Sequence, residues 1–389
     1  MERREFLKYS AAGLASLPLI GSLASDVFAA PGNWDRTLVL LELKGGNDGL
    51  NTVIPYTDPL YYDFRPALAI KRDQVIQIDE KLGFNRALKS MMPLWRSKEM
   101  AVVLGVGYPD PNLSHFRSID IWDTASDAED FADEGWISTV FREAHPPADL
   151  VAEGVILGRN RVGPLMGGKM RAVFLPNDPG KFIKKAKRVN SGKTAAANSA
   201  LAHIMKQRRD LKSAVNQMLS KRIESVEAGG GFPDTNLGKQ FENAARLLIA
   251  GVKAPLFKMS IGGFDTHVSQ GQKHWELLRD VADSISAFAQ VMKTKGLWNK
   301  VLVMSYAEFG RRPGENNSLG TDHGTSAPHF LAGGGVKGGL YGDQPPLDDL
   351  AGKNLRHHIH FRSLYASVAR EFWGLKASFI KEKPLGIIA

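Results

Sequence analysis

The chain has 389 residues, contains no cysteine, and carries 50 Lys and Arg residues against 41 Asp and Glu residues. The lack of cysteine excludes a disulfide framework and thiolate metal ligands, so any bound metal must be held by oxygen and nitrogen atoms. The formal net charge of +9 marks a basic protein without identifying a partner. The length suits either two average domains or one large α/β domain, and composition does not separate these alternatives.

Residues 1–29 have the pattern of a twin-arginine export signal. Arg3 and Arg4 precede an apolar Phe-Leu pair and a lysine, an uncharged run follows from Tyr9 to Ser25, and small residues allow cleavage after Ala29. A basic amphipathic helix that is retained is the alternative interpretation. Because the run is rich in Ala, Gly and Ser, and a bilayer span needs ~20 strongly apolar residues, we expect no stable membrane anchor. The expected partner during export is the twin-arginine translocase, and the expected location is periplasmic or exported.

Six apolar runs predict buried β-strands in the remaining chain. Each run ends near Gly, Pro or a polar cluster, as strands buried on both faces do where they meet turns. The runs cover residues 36–44, 100–106, 151–157, 255–261, 301–306 and the neighbourhood of 330–332, and helical patterns cover residues 84–95, 272–292 and 362–373. This alternation predicts an α/β fold with a doubly wound, mostly parallel sheet and helices on both faces. We expect one such domain over residues 30–389.

Residues 181–230 depart from this alternation. They are basic and helix-forming, and they end in a run of three glycines at Gly229, Gly230 and Gly231. The pattern predicts a helical insertion whose basic residues form a solvated face. Without interleaved aromatic residues the insertion gives little support to nucleic-acid binding, although its charge could attract an anionic substrate.

Acidic residues and histidines follow several of the predicted strands. Asp48 follows the first strand, Asp265 and His267 follow the strand at 255–261, Glu308 follows the strand at 301–306, and Asp322 and His323 lie on the next loop. Ligands of an open parallel sheet bind beyond the carboxyl ends of its strands, so we expect these residues to converge. Carboxylate and imidazole ligands suit one or two divalent ions, with Zn²⁺ preferred and Mn²⁺, Mg²⁺ or Ca²⁺ as alternatives.

Each of these residues also has a purely structural interpretation. Asp48 lies in the sequence Gly-Gly-Asn-Asp-Gly, a composition that tight turns commonly use. Asp265 could cap the helix that begins near Gln270, and His267 could pack beside it. The Asp322 and His323 pair could stabilise a loop in the same way.

Ser114 is the candidate nucleophile. It follows the strand at 100–106 and precedes a helical pattern, where unpaired backbone N–H groups favour an anion. A metal ion would lower the pKa of the serine hydroxyl, and Arg117 or Lys44 could neutralise charge on the transferred group. The alternative is a helix-capping serine beside a packing histidine, His115.

Several blocks of sequence together resemble a known family. They are LELKGGNDGLNTVIPY at 41–56, NLSHFRSIDIW at 112–122, LGKQFENAARLLIAG at 237–251, GGFDTHVSQ at 262–270, the long block 307–342 that begins AEFGRRPGENN, and FRSLYASV at 361–368. With the twin-arginine start, they resemble the bacterial domain-of-unknown-function family 1501 over essentially the whole mature chain. That family is grouped with the alkaline phosphatase and sulfatase superfamily, whose members bind one or two metals at the strand ends of a doubly wound sheet.

The resemblance implies a role for six residues. Asp48 would be the aspartate ligand after the first strand and Ser114 the metal-bound nucleophile. The ligands of the two metals would be Asp265 with His267, and Asp322 with His323.

The match departs from the superfamily pattern at two points. Only Thr266 separates Asp265 from His267, so these two can share a metal only if the backbone turns near Gly262 and Gly263. The last histidine ligand is also open. His329 is the nearest histidine but could merely pack, and the remaining alternatives are His357, His358 and His360.

These observations predict an exported metal-dependent hydrolase that cleaves an anionic phosphate or sulfate ester through a metal-activated serine. The alternative is a non-catalytic periplasmic or surface protein with a binding or assembly role, which keeps the fold and one structural metal.

Overall fold

A computed structural model of the protein describes residues 32–158, 160–168, 170–178, 219 and 221–389. The predicted export signal lies outside the described residues, as does most of the predicted insertion at 181–230. At the end of the insertion, residues 221–224 are helical, and Leu219 and Ile223 are buried in the core. Among the described residues, no helix is long and apolar enough to cross a membrane.

Sixteen strands and seven α-helices are described. The strands are β1 Thr37–Lys44, β2 Val53–Ile54, β3 Val75–Gln77, β4 Gly83–Asn85, β5 Met100–Gly107, β6 Gly154–Leu157, β7 Ala172–Leu175, β8 Leu256–Gly262, β9 Val301–Tyr306, β10 Gly310–Glu315, β11 Thr321–Gly324, β12 Ala327–Gly333, β13 Gly339–Tyr341, β14 Leu350–Ala351, β15 Asn354–Leu355 and β16 Ile359–His360. The α-helices are α1 Pro59–Phe64, α2 Met92–Arg96, α3 His115–Thr124, α4 Trp136–Ala144, α5 Asn236–Ile249, α6 Gln270–Thr294 and α7 Arg362–Ala366. Short 3-10 helices cover Arg72–Gln74, Arg86–Met91, Gly163–Leu165 and Trp298–Lys300, and a π-helix covers Ser367–Phe372.

The main sheet of the described chain has nine strands and is mostly parallel. Its order is β13-β5-β12-β9-β1-β8-β6-β7, with β16 paired to β5. The central strand β1 runs parallel to both β8 and β9, and β6 runs parallel to β7 and β8. Only β12 is antiparallel to its neighbours, β5 and β9. The predicted fold class is confirmed.

The alternation of side chains along β1 explains why helices cover both faces of the sheet. Successive residues of a strand point to opposite faces. One set packs in a core with α5 and α6, and it comprises Val39, Leu41 and Leu43. The other set packs in a second core with α3, α4 and the carboxyl-terminal helices, and it comprises Leu38 and Leu40. Because both faces are buried, the strand reads as one continuous apolar run.

Two predicted elements differ in detail from the structure. The helix predicted over 84–95 is divided into strand β4, a 3-10 helix and α2. Pro93 lies in the first turn of α2, where its missing N–H costs no hydrogen bond. The strand predicted near 330–332 is present as β12 but runs antiparallel to β9. The link between β9 and β12 contains the β10–β11 hairpin and no helix, whereas parallel neighbours need a long crossover connection.

A buried polar network lies on the second face of the sheet. Lys258 Nζ donates to Glu42 Oε2 at 2.8 Å, and the Tyr306 hydroxyl donates to Asp123 Oδ1 at 3.2 Å. All four residues are almost completely buried. Burial raises the pKa of Asp123 to about 7, because desolvation of the carboxylate outweighs the attraction of Lys258.

The raised pKa of Asp123 predicts a specific dependence of stability on pH. Between pH 4 and 7 the folded protein keeps a proton that the unfolded chain has already lost, so the free energy of unfolding falls as the pH rises through this window. Asp123→Asn cannot ionise at this position. Relative to this variant, the free energy of unfolding of the wild-type protein should fall by about 1.4 kcal/mol per pH unit between pH 4 and 7. Urea unfolding of both proteins at several pH values measures the difference. Parallel stability curves would contradict the raised pKa.

Candidate metal centre

The carboxyl ends of the central strands meet at one edge of the sheet, and glycines allow the chain to approach itself closely there. Gly45 follows β1 with a φ of +114°. A Cβ atom at this position would lie 2.2 Å from the backbone nitrogen of Asp265. Only glycine tolerates both this backbone conformation and this contact. The end of β1 can therefore pack directly against the segment that follows β8.

The chain turns immediately after β8 and brings Asp265 and His267 together. Gly263 has a φ of +112°, and the backbone N–H of Thr266 donates to the carbonyl oxygen of Phe264 at 2.8 Å. The predicted turn is confirmed, and His267 Nε2 lies 3.0 Å from Asp265 Oδ1. Thr266 is buried between them, and its hydroxyl donates to Gln270 Oε1.

His323 reaches the same carboxylate from the β10–β11 hairpin. Its Nε2 atom lies 3.2 Å from Asp265 Oδ1 and 2.9 Å from His267 Nε2. In this hairpin His323 pairs with Arg311. The acid and the two histidines therefore come from two distant stretches of sequence, as predicted.

A third histidine, His115, is contributed by the first residue of α3. Its Nε2 atom lies 3.4 Å from Asp265 Oδ2, and its ring centroid lies 4.5 Å from that of His323. The potential ligand atoms of His115, Asp265 and His323 all lie within 4.8 Å of one another. We call these three residues together with His267 the histidine cluster.

Each imidazole of the histidine cluster has an acceptor on its outer nitrogen. His115 Nδ1 lies 2.8 Å from Glu308 Oε1, and His323 Nδ1 lies 2.8 Å from the carbonyl oxygen of Leu113. The outer nitrogen of His267 faces Asp322 Oδ1 at 3.4 Å. A carbonyl oxygen can only accept, so His323 Nδ1 carries the hydrogen and its Nε2 presents a lone pair to the cluster.

This arrangement fits a divalent metal ion. Tetrahedral zinc with ligand distances of ~2.0–2.2 Å places its ligand atoms about 3.3–3.5 Å apart. Asp265 Oδ1, His267 Nε2 and His323 Nε2 form a triangle with sides of 2.9, 3.0 and 3.2 Å, within a few tenths of an ångström of that separation. Two ring nitrogens and a carboxylate oxygen this close together require a hydrogen on one of the nitrogens or a cation among the three atoms. Carboxylate and carbonyl partners on the outer nitrogens are typical of metal-bound histidines.

Arg311 fixes the carboxylate of Asp265. Its Nη2 atom donates to Asp265 Oδ1 at 2.7 Å, and its side chain is completely buried while that of Asp265 is 46% exposed. Burial opposes ionisation of Asp265, but the hydrogen bond and the positive charge of Arg311 outweigh it and lower the pKa to about 2. The carboxylate is therefore ionised at neutral pH and open to solvent on one side.

Asp48 is placed away from the histidine cluster. Its carboxylate is completely buried and accepts two hydrogen bonds from Arg65, at 2.7 and 2.9 Å. Gln270 Nε2 also donates to it. Burial opposes ionisation of Asp48, but the guanidinium of Arg65 outweighs it and lowers the pKa. The expected ligand therefore serves as a buried ion-pair partner that holds the loop after β1, and the structure gives it no contact with the cluster.

The later histidines are also outside the cluster. His329 lies on β12 and is buried beside Trp122, at 5.2 Å between ring centroids, and burial lowers its pKa to about 3. His360 lies 3.7 Å from Glu382. The backbones of His357 and His358 lie against β5 near Gly107 and Gly105. The third imidazole of the site is His115, for which the sequence suggests only a packing role, as the alternative interpretation of its segment.

The three predicted catalytic residues differ in their position relative to the histidine cluster. Ser114 is exposed at the amino end of α3, between Leu113 and His115, and its side chain does not cap the helix. Arg117 turns away toward Asp120, at 2.7 Å, and toward the loop that follows α3. Lys44 Nζ donates to Asn160 Oδ1 at 3.2 Å. Only Ser114 adjoins the cluster along the chain.

The residues that orient the ligands are not evident from the sequence, which places only Glu308 among the polar residues that follow the strands. Glu308 supports His115 and accepts from the backbone N–H of Gly45 at 2.8 Å, while Arg311 supports Asp265. Arg312 lies 3.4 Å from Asp322, and Asn316 donates to the same carboxylate. All four lie between β9 and β11, and their concentration of charge directly after a buried strand was the available signal.

The role of Arg311 can be tested by comparing it with its neighbour. Arg311→Lys keeps the charge but reduces five donors to three, which leaves buried carbonyl oxygens without partners. We expect the free energy of unfolding to fall by at least about 2 kcal/mol. Arg312→Lys, at a side chain that is 32% exposed, should change it by less than about 1 kcal/mol. Urea unfolding measures both, and equal losses would contradict the assigned role.

The structure is similar to several solved structures at low sequence identity. The crystal structure of Ps i-CgsB has a TM-score of 0.40 and 10% identity, and the match covers 90% of this chain and 75% of that one. The PsFucS1 sulfatase from Pseudoalteromonas sp. has a TM-score of 0.36 and 10% identity, with coverage of 80% and 65%. Alkaline phosphatase from the Antarctic bacterium TAB5 has a TM-score of 0.35 and 10% identity, with coverage of 79% and 94%. Structural similarity at this level is not evidence of a shared activity.

Sequence comparison identifies the family. No curated protein matches the chain. The profile of the family described as "Protein of unknown function (DUF1501)" matches residues 176–373, just over half of the chain. The matched range includes Asp265, His267, Asp322 and His323. The chain belongs to the DUF1501 family.

Proposed function

We propose that this protein is an exported metal-dependent hydrolase of phosphate or sulfate esters. The observation that carries the proposal is the histidine cluster. Three imidazole nitrogens converge on the carboxylate of Asp265, and each ring has an acceptor behind its other nitrogen. Residues that only stabilise a loop have no need of this orientation, whereas metal ligands do. The arginine pair and uncharged run at residues 3–25 support export through the twin-arginine pathway.

The residues that would hold the metal are His115, Asp265, His267 and His323. Three nitrogen donors and one oxygen donor favour Zn²⁺, with Mn²⁺ as the next alternative. When bound there, a divalent ion polarises a phosphoryl or sulfuryl oxygen and favours the deprotonated form of a coordinated hydroxyl or water. We assign Asp322 and Glu308 to orienting His267 and His115, which revises the expectation that Asp322 is itself a ligand.

Ser114 is the proposed nucleophile. It is exposed, and the residues on either side of it contact the cluster, Leu113 through its carbonyl oxygen and His115 through its ring. Attack by its oxygen would form a bond to phosphorus or sulfur as the bond to the ester alcohol breaks. Water would then cleave the seryl ester and restore the serine. The position at the amino end of α3 favours the negative charge that develops there.

Arg312 is the proposed contact for the charge of the ester. Its side chain is 32% exposed, and its one ion pair, with Asp322, is long at 3.4 Å. The exposed part of this guanidinium can therefore donate to a phosphate or sulfate oxygen. Lys44 and Arg117, the residues expected in this role, are engaged elsewhere.

Metal analysis is the first test of the proposal. Purified mature protein, reconstituted with zinc and dialysed, should retain about one ion per chain. His323→Gln and Asp265→Asn should abolish retention, while Asp322→Asn should weaken zinc affinity about 10- to 100-fold, as loss of an orienting partner does. His357→Gln, a histidine outside the cluster, is the matched control and should bind normally. A wild-type protein that retains no zinc, manganese or related ion would exclude the metal centre.

Hydrolysis of chromogenic esters tests the nucleophile. In a panel of phosphate monoesters, phosphate diesters and sulfate esters, Ser114→Ala should lower kcat/KM by at least about 100-fold while the bound metal is retained. Ser126→Ala, beyond the other end of the same helix, should leave the rate unchanged. Full activity in Ser114→Ala would remove this residue as nucleophile. Bound metal without turnover of any ester would favour the alternative, a binding or assembly protein with a structural metal.

A further inference from the structure

The large hydrophobic side chains that are exposed belong to segments that carry or adjoin residues of the candidate metal centre. Four such side chains occur among the described residues, and their exposed fractions are 82% for Phe116, 83% for Phe131, 62% for Val268 and 50% for Leu319. Phe116 and Val268 directly follow two of the cluster histidines in the chain. A random scatter of surface hydrophobic residues would not concentrate in this way.

Val268 and Leu319 belong to two loops that are joined beside the cluster. The backbone N–H of Ser269 donates to the carbonyl oxygen of Ser318 at 2.9 Å, and that of Gln270 donates to the carbonyl oxygen of Leu319 at 2.8 Å. Val268 directly follows His267, and Leu319 precedes β11, which carries His323. One side of the site therefore presents two neighbouring apolar loops to solvent.

The backbone at Leu319 is in a conformation that leucine rarely adopts. Its φ is +54°, in the left-handed region. Glycine or asparagine would adopt this conformation at lower cost and would not expose an apolar side chain to water. Other non-glycine residues of the described chain share this conformation, so it is the exposed apolar side chain beside the site that makes Leu319 a candidate for contact with a ligand.

The two phenylalanines lie at the start of α3 and in a loop that is held against it. Phe116 lies in the first turn of α3, between His115 and Arg117. The guanidinium of Arg117 lies 4.1 Å from the ring centroid of Phe131 and also donates to the carbonyl oxygen of Ala128 at 2.9 Å. Arg117, which was expected to contact substrate charge, instead holds the loop that carries Phe131 near the start of the helix.

We infer that Phe116, Phe131, Val268 and Leu319 form an apolar rim that binds the alcohol part of the substrate, which is an extended apolar group. The inference rests on the proposed function, because the metal centre and Arg312 would hold the anionic end of the same molecule. These side chains are exposed on the segments that carry or adjoin His115, His267 and His323. The substrate class is therefore an anionic amphiphile, a phosphate or sulfate ester of an apolar alcohol.

Binding of alkylphosphonates separates this inference from the hydrolase proposal. Isothermal titration of the zinc-loaded mature protein with ethylphosphonate and octylphosphonate gives the affinity ratio between a short and a long apolar chain. We expect octylphosphonate to bind at least about tenfold more tightly, because burial of even part of the longer chain contributes this much. Equal affinities would overturn the apolar rim and leave the hydrolase proposal intact. No binding of either compound would overturn both.

Substitution at Leu319 supplies the matched test. Leu319→Gly removes the side chain and relieves the left-handed strain, so the free energy of unfolding should stay the same or rise while the affinity ratio falls at least about threefold. Lys98→Gly is the control, because Lys98 is also exposed with a φ of +59° but precedes β5 at the opposite end of that strand. Phe116→Ser should lower the ratio in the same way. An unchanged ratio in both Leu319→Gly and Phe116→Ser would contradict the inference.

Discussion

The guanidinium of Arg311 is the interaction on which the site depends. It is completely buried and donates to carbonyl oxygens of Gly46, Thr321 and Phe264, at 2.9, 2.7 and 3.1 Å, as well as to the carboxylate of Asp265. These acceptors belong to the ends of β1 and β8 and to the start of β11. Each of these oxygens would lose a buried hydrogen-bond donor if the arginine were absent. One side chain thus joins the three segments and orients the carboxylate at their junction.

A second buried arginine secures the neighbouring loop. Arg65 forms the paired hydrogen bonds to Asp48 and also donates to the carbonyl oxygen of Pro313, which follows Arg312 in β10. The loop after β1 is therefore held between two guanidinium groups, one on each side. A buried ion pair of this kind is a weak source of net stability but is costly to break. It fixes where the loop lies, and so where Gly45 meets the segment after β8.

The general fold could be read from the sequence because hydrophobic burial is encoded locally. A strand buried on both faces must be apolar at every position, so β1, β5 and β9 stand out without knowledge of their neighbours. The same rule places polar residues at the strand ends, which led to Asp265 and His323. The direction of β12 was not encoded in this way. An apolar run looks the same whether its neighbours are parallel or antiparallel. Only the short hairpin link before β12 determines the direction of this strand.

The sequence by itself determined the strands, the position of the candidate site at their carboxyl ends, and a shortlist of acids and histidines. Only the tertiary structure decided which of them converge. Asp48 and Asp265 both follow strands, and each contacts a buried arginine. Only Asp265 also faces three imidazoles. His115 looked like a packing residue because its partners lie more than 100 residues away in the chain. A ligand set is defined by the directions of side chains from separate segments, and local sequence carries no record of those directions.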